Sequence, residues 1–100
     1  PEVSIASPGN HIYFSNTMIL PFFAPVVMKS VEINIDAVDD ETGIDYVTIS
    51  VDGEQQTTIH HEPYTWMFEV SGFGQHEILV EGYDIVGNSD SDEMMIWTLF

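Results

Sequence analysis

Seventeen acidic side chains stand against one basic one, Lys29, in a chain of 100 residues. They gather in stretches: Asp39, Asp40, Glu41 and Asp45 in one, Asp84 before Gly87-Asn88 in another, then Asp90, Asp92 and Glu93. Carboxylate oxygens at this density are raw material for calcium, which takes roughly six to eight hard oxygen ligands. Asp39, Asp40, Asp45 and Asp84 are the candidate ligands, and calcium is the one cofactor the residues suggest. The competing reading is turn chemistry, because Asp side chains bond their own backbone in loops. The spacing matches no EF-hand loop, and Asp84 before Gly87-Asn88 reads first as a turn cap.

Other chemistry finds little support. His60-His61 are neighbours, so on a strand their rings point to opposite faces and chelate one metal poorly. No cysteine occurs, which removes thiolate metal sites and Cys nucleophiles. No Gly-x-Ser-x-Gly elbow surrounds a serine. Ser71-Gly72-Phe73-Gly74 lacks the Lys and following helix of a phosphate loop. Paired carboxylates do hydrolytic work only when a cleft holds one in an apolar pocket. The expectation is a protein that is not an enzyme. His76 is expected to be a structural corner residue, its ring bonding back to the loop before its strand as a tyrosine does in some sandwich domains.

The net charge of −16 with neutral histidines excludes phosphate-backbone partners, since counterion release needs Lys and Arg. Nucleic acid and anionic membranes are therefore not expected partners. The acidity has three readings: solubility, screening in high salt and bound divalent cations. No run of about 18 apolar residues predicts a membrane-spanning helix. The longest apolar stretch, residues 18–28, is broken by Pro21 and Pro25. The chain lacks an initiator Met and a basic signal-like start, so it reads as a single domain, residues 1–100, cut from a longer chain.

Positioning elements are legible from period-two alternation. Val31, Ile33, Ile35 and Ala37 alternate with Glu32, Asn34 and Asp36; Val47, Ile49 and Val51 alternate with Thr48 and Ser50. Trp66, Phe68 and Val70, then Ile78 and Val80, repeat the pattern. Asp52-Gly53 suits a two-residue hairpin turn. Strands are expected at 2–7 with an extension at 12–14, then 31–37, 44–51, 55–60, 64–70, 76–84 and 92–99. Labelled A, B, C, C′, E, F and G, these make about seven strands in two antiparallel sheets. Residues 15–30 are too apolar for an ordinary loop, and an extra edge hairpin is expected there, where proline is tolerated. Trp66, Phe68 and Trp97 are expected in the core. Tyr13, Phe14, Phe22, Phe23 and Tyr46 are expected to be partly exposed, with Tyr13, Phe22 and Phe23 forming an interface.

The ordered set of Val3-Ser4-Ile5, Ser7-Pro8, Ile33-Asn34-Ile35-Asp36-Ala37, Thr42-Gly43-Ile44-Asp45-Tyr46-Val47, Val51-Asp52-Gly53, Glu62-Pro63-Tyr64-Thr65-Trp66, Gly74-Gln75-His76-Glu77-Ile78 and Tyr83-Asp84-Ile85-Val86-Gly87-Asn88 resembles the bacterial and archaeal Ig-like domains. Residues 15–30 and the scarcity of Lys and Arg depart from that pattern. The resemblance implies an all-β, immunoglobulin-like sandwich that is extracellular or at the cell surface, often one of several tandem modules. It implies a spacer, adhesive or accessory role, with neighbouring domains or other surface proteins as partners. Stacking of exposed aromatics on sugar rings gives the alternative, a carbohydrate-binding accessory domain of a secreted hydrolase.

Overall fold

A computed structural model describes residues 1–39 and 43–100. Ten strands occur among them: β1 (Glu2–Ser7), β2 (His11–Phe14), β3 (Thr17–Pro21), β4 (Val26–Met28), β5 (Ser30–Val38), β6 (Ile44–Val51), β7 (Glu54–Ile59), β8 (Tyr64–Glu69), β9 (Gly74–Asp84) and β10 (Ser89–Thr98). One sheet has the order β1-β5-β8 and the other β3-β2-β4-β10-β9-β6-β7. The layers A-B-E and G-F-C-C′ therefore face each other, which is the immunoglobulin-like sandwich expected from the alternation. No helix among the described residues is long and apolar enough to cross a membrane.

Alternation sets what meets between the sheets. Val31, Ile33, Ile35 and Ala37 of β5 face Val47 and Ile49 of β6, Ile78 and Val80 of β9 and Ile96 of β10. Ile33, Ile49, Ile78 and Ile96 are fully buried. Each such side chain stabilises the fold by about 1.5–3 kcal/mol relative to exposure. Branched aliphatics suit the pleated surface because their restricted rotamers lose little freedom there.

Two expectations need correction. The first strand is not one element with an extension. The chain turns at Pro8-Gly9, with the His11 amide donating to the Gly9 carbonyl at 2.8 Å, and β1 and β2 join different sheets. The larger sheet is also not purely antiparallel, because β4 runs parallel to both β2 and β10. After the β2–β3 hairpin the chain loops back through residues 22–25, so β4 enters in the direction of β2. Residues 15–30 thus supply the edge strand β3 and the inserted strand β4. Ser15 and Asn16 both have positive φ, 48° and 64°, the geometry of a type I′ hairpin turn.

β1 has one free edge, and aspartates of the opposite sheet close it. The Val3 amide donates to Asp90 Oδ2 at 2.8 Å and the Ile5 amide to Asp92 Oδ2 at 2.9 Å. The two carboxylates lie two residues apart on β10, matching the two outward amides of β1. Exposed strand edges invite pairing with other chains, and here part of the acidity serves to block it.

Candidate functional site

The candidate ligands Asp39 and Asp84 lie at one end of the sandwich, where β5 and β9 finish. Asp39 follows β5, and its carboxylate lies 3.7 Å from the Pro1 amino group. Asp84 ends β9 and is buried. Its Oδ1 accepts from the amides of Val86 at 3.1 Å and Asn88 at 2.8 Å, and its Oδ2 accepts from Asn88 Nδ2 at 3.0 Å. The Asp84 amide in turn donates to the Asn88 carbonyl at 2.9 Å. Gly87 completes the turn at φ 96°, where a Cβ would be strained. Burial opposes the charge of Asp84, but bonds from Asn88 and Val86 and its side-chain contact with Asp39 hold the carboxyl below its ordinary value.

Asp84 is therefore the clamp of the β9–β10 turn, its oxygens engaged by the chain's own donors. Asp45 is an exposed residue of β6. Asp40 lies outside the described residues, as does Glu41. Among the described residues no group of three or more His, Asp or Glu side chains is arranged to hold a metal ion. Asp39 and Asp84 are brought together at this end, while Asp90 and Asp92 turn to β1. His60 and His61 are exposed, with the His60 ring 6.0 Å from that of Tyr46. Tyr46 also stacks on Tyr83 at 4.7 Å.

His76 has a different partner from the one expected. Its Nδ1 lies 2.6 Å from Asp52 Oδ2, in the turn between β6 and β7. The same carboxylate accepts from the Glu77 amide at 2.9 Å, and the Asp52 amide donates to the Glu77 carbonyl at 2.9 Å. Because β9 pairs with β6, that turn lies beside the start of β9. The bond from His76, then that from Glu77, lowers the Asp52 carboxyl from its ordinary value. The corner before β9 is held instead by Thr98, whose hydroxyl lies 2.7 Å from the Gly72 carbonyl and 3.2 Å from that of Gly74. Thr98 is a buried residue, the one polar side chain in an otherwise apolar stretch from Met94 to Leu99.

The His76→Ala variant is expected to melt a few degrees lower than the parent, since an exposed turn loses one charge-assisted bond. His60→Ala should melt within about a degree or two of the parent. The difference should fade in acid. Asp52 has a depressed folded value, so its contribution is present above the ordinary 3.8 and is lost as pH falls below it. Equal melting temperatures for the two variants at neutral pH would contradict a structural role for His76.

The aromatic residues divide unexpectedly. Tyr13 is buried, not part of an interface. It pairs with Val27 on the inner face, and its hydroxyl accepts the Gly9 amide at 2.8 Å. Trp97 was expected in the core but is 43% exposed, because Ile96 and Thr98 take the inward positions of β10. Phe22 and Phe23 are exposed, 4.3 Å apart between centroids. Trp66 is only partly buried against the core.

Comparison with known proteins agrees with this architecture. The family described as "Bacterial Ig domain" matches residues 1–80. Fibronectin(III)-like modules of Clostridium thermocellum CbhA superimpose with a TM-score of 0.74 at 23% identity, covering 98% of this chain and 97% of that one. The Clostridium perfringens spore cortex lytic enzyme SleM gives 0.56 at 13% identity, over 74% of this chain and 28% of that one. At these identities the structural likenesses establish the fold. No curated protein matches the chain significantly. With an A-B-E sheet packed on G-F-C-C′ and a family match over residues 1–80, the chain belongs to the bacterial Ig domain family.

Proposed function

We propose that this chain is a non-catalytic structural module of a larger secreted or surface protein, acting as a spacer or protein-interaction unit. The observation that carries the reading is the separation of its two ends. Pro1 contacts Asp39, just beyond the end of β5. The Phe100 carbonyl accepts the amide of Lys29, just before the start of β5. Nine residues of β5 lie between, about 30 Å at the rise of a strand. A domain entered at one end and left at the other lengthens a chain when repeated. Two copies joined in tandem should scatter X-rays as an elongated particle about twice the 40 Å length of one. A compact, folded-back particle would contradict the spacer reading.

Exposure of Trp97 and Phe14 on one sheet face favours a second reading, a carbohydrate-binding accessory domain. Planar apolar rings in that setting can stack on sugars. Co-sedimentation with insoluble polysaccharide, lost in Trp97→Ala, would support it. No binding by the parent would reject it for the polysaccharides tried.

A further inference from the structure

The four sheet edges are not alike. β1 is closed by Asp90 and Asp92. β7 carries Glu54, Gln55 and Gln56, and β8 carries Glu69. β3 carries no charge, and all five of its residues are exposed. Pro21 and a register shift opposite Ile12 and Tyr13 make β3 a poor template for strand addition. Its outer face is different. Leu20 pairs with Ile12, Ile12 with Val26, and Val26 with Trp97, so one apolar row crosses four strands, exposed at Leu20 and Trp97, half-buried at Ile12 and already buried at Val26. Phe14 and Met95 extend it on either side, and both are more than 40% exposed.

Charge marks the same region. No acidic residue occurs in residues 3–31, and Lys29 falls within that stretch. All seventeen carboxylates lie outside it. Two copies of a chain carrying −16 repel wherever acidic surfaces face each other, by Coulomb forces that water and salt only weaken. The β3-β2-β4-β10 face is where two copies can approach with the fewest like charges opposed. Of the three carboxylates on β10, Asp90 and Asp92 turn to β1, while Glu93 stands on the outer face two residues before Met95; Glu77 borders the face on β9.

We propose that the outer face of β3-β2-β4-β10 binds a second copy of this domain, sheet against sheet about a two-fold axis. Such an interface is self-complementary: the row from Leu20 to Trp97 in one copy meets the same row in the other. It is independent of the spacer reading, because two separate chains can meet this way and a tandem repeat can lack it.

Sedimentation equilibrium of the 100-residue chain tests it. The mass should rise with concentration from 11.3 kDa toward twice that value. The dimer should tighten in about 1 M salt, where the screening length falls to about 3 Å. Leu20→Glu, a substitution at an exposed site, should weaken the dimer at least about tenfold. Gln56→Glu adds the same charge on β7 and should change it less than about twofold. Unchanged melting temperatures for both variants would show that folding is intact. A parent chain that stays at 11.3 kDa at high protein and salt concentration would overturn the proposal and leave the face to another partner. Equal weakening by the two variants would also overturn it, by tracing the effect to net charge.

Discussion

Gly82→Ala is expected to lower the free energy of unfolding by about 2–3 kcal/mol, a large loss for adding one methyl group. Gly82 is buried near the end of β9, two residues before Asp84. A Cβ there would meet Val3 Cγ2 at 2.6 Å, with Val3 Cβ and Val47 Cγ2 at 3.9 Å. Val3 cannot easily give way. Its side chain is stiff at χ1, its residue pairs with Ala37 of β5, and its amide is held by Asp90. The added methyl must therefore push β1 away from β9 and loosen the contact between the sheets. Val3→Ala in the same chain removes the colliding atom, so the double variant should be more stable than the sum of the single losses predicts. Urea unfolding of the four proteins measures this coupling. Strict additivity would show that Gly82 is required for some reason other than Val3.

Asp84→Ala should be the most damaging change at the acidic end, lowering the melting temperature by about 10 °C. Three donors, the amides of Val86 and Asn88 and the Asn88 side chain, lose their acceptor together. Buried or partly buried donors left without partners carry the full desolvation cost. Asp84→Asn keeps an acceptor oxygen and should recover part of the loss. The parent should also lose stability in acid. The Asp84 carboxyl is held below its ordinary 3.8, so its contribution is complete above that value and disappears as pH falls through the lower folded value. Melting curves of the parent and both variants across the acidic range would show the parent's advantage shrinking with pH. A variant as stable as the parent at neutral pH would remove Asp84 from the turn.

Alternation made the core of the sandwich readable. Ile33, Ile49 and Ile78 sit where period-two patterning put them, because a half-buried strand must show its apolar residues to one side. Asp52-Gly53 was equally plain, and both residues have positive φ. The last strand was harder. Met94 through Leu99 is apolar on both faces except at Thr98, so alternation alone assigns no side, and Trp97 was expected in the core with the rest of the strand. The one polar residue there was the useful signal: Thr98 points inward to the Gly72 and Gly74 carbonyls, so Trp97 must point outward.

The acidic residues were legible as a group and not in their separate tasks. Asp84 beside Gly87-Asn88 announced a turn. Asp90 precedes the expected strand 92–99 and Asp92 opens it, and neither shows a partner until β1 is seen lying across β10 from another sheet. That contact spans 87 residues of sequence, and no local pattern encodes it. Tyr13 failed for a similar reason, since the partners that bury it depend on β4 entering between β2 and β10. The Ser15-Asn16 turn could have been suspected from Asn16, which tolerates the left-handed conformation better than most residues.

The central claim, that the chain passes through an Ig-like sandwich from one end to the other, is open to a direct distance measurement. The sequence holds no cysteine, so Glu2→Cys and Phe100→Cys place spin labels at two exposed positions without competing thiols. Pulsed electron–electron double resonance should give a narrow distribution between about 30 Å, the length of β5, and the 40 Å long dimension of the fold. A distance near 15 Å would put both ends on one side of the domain and contradict the account.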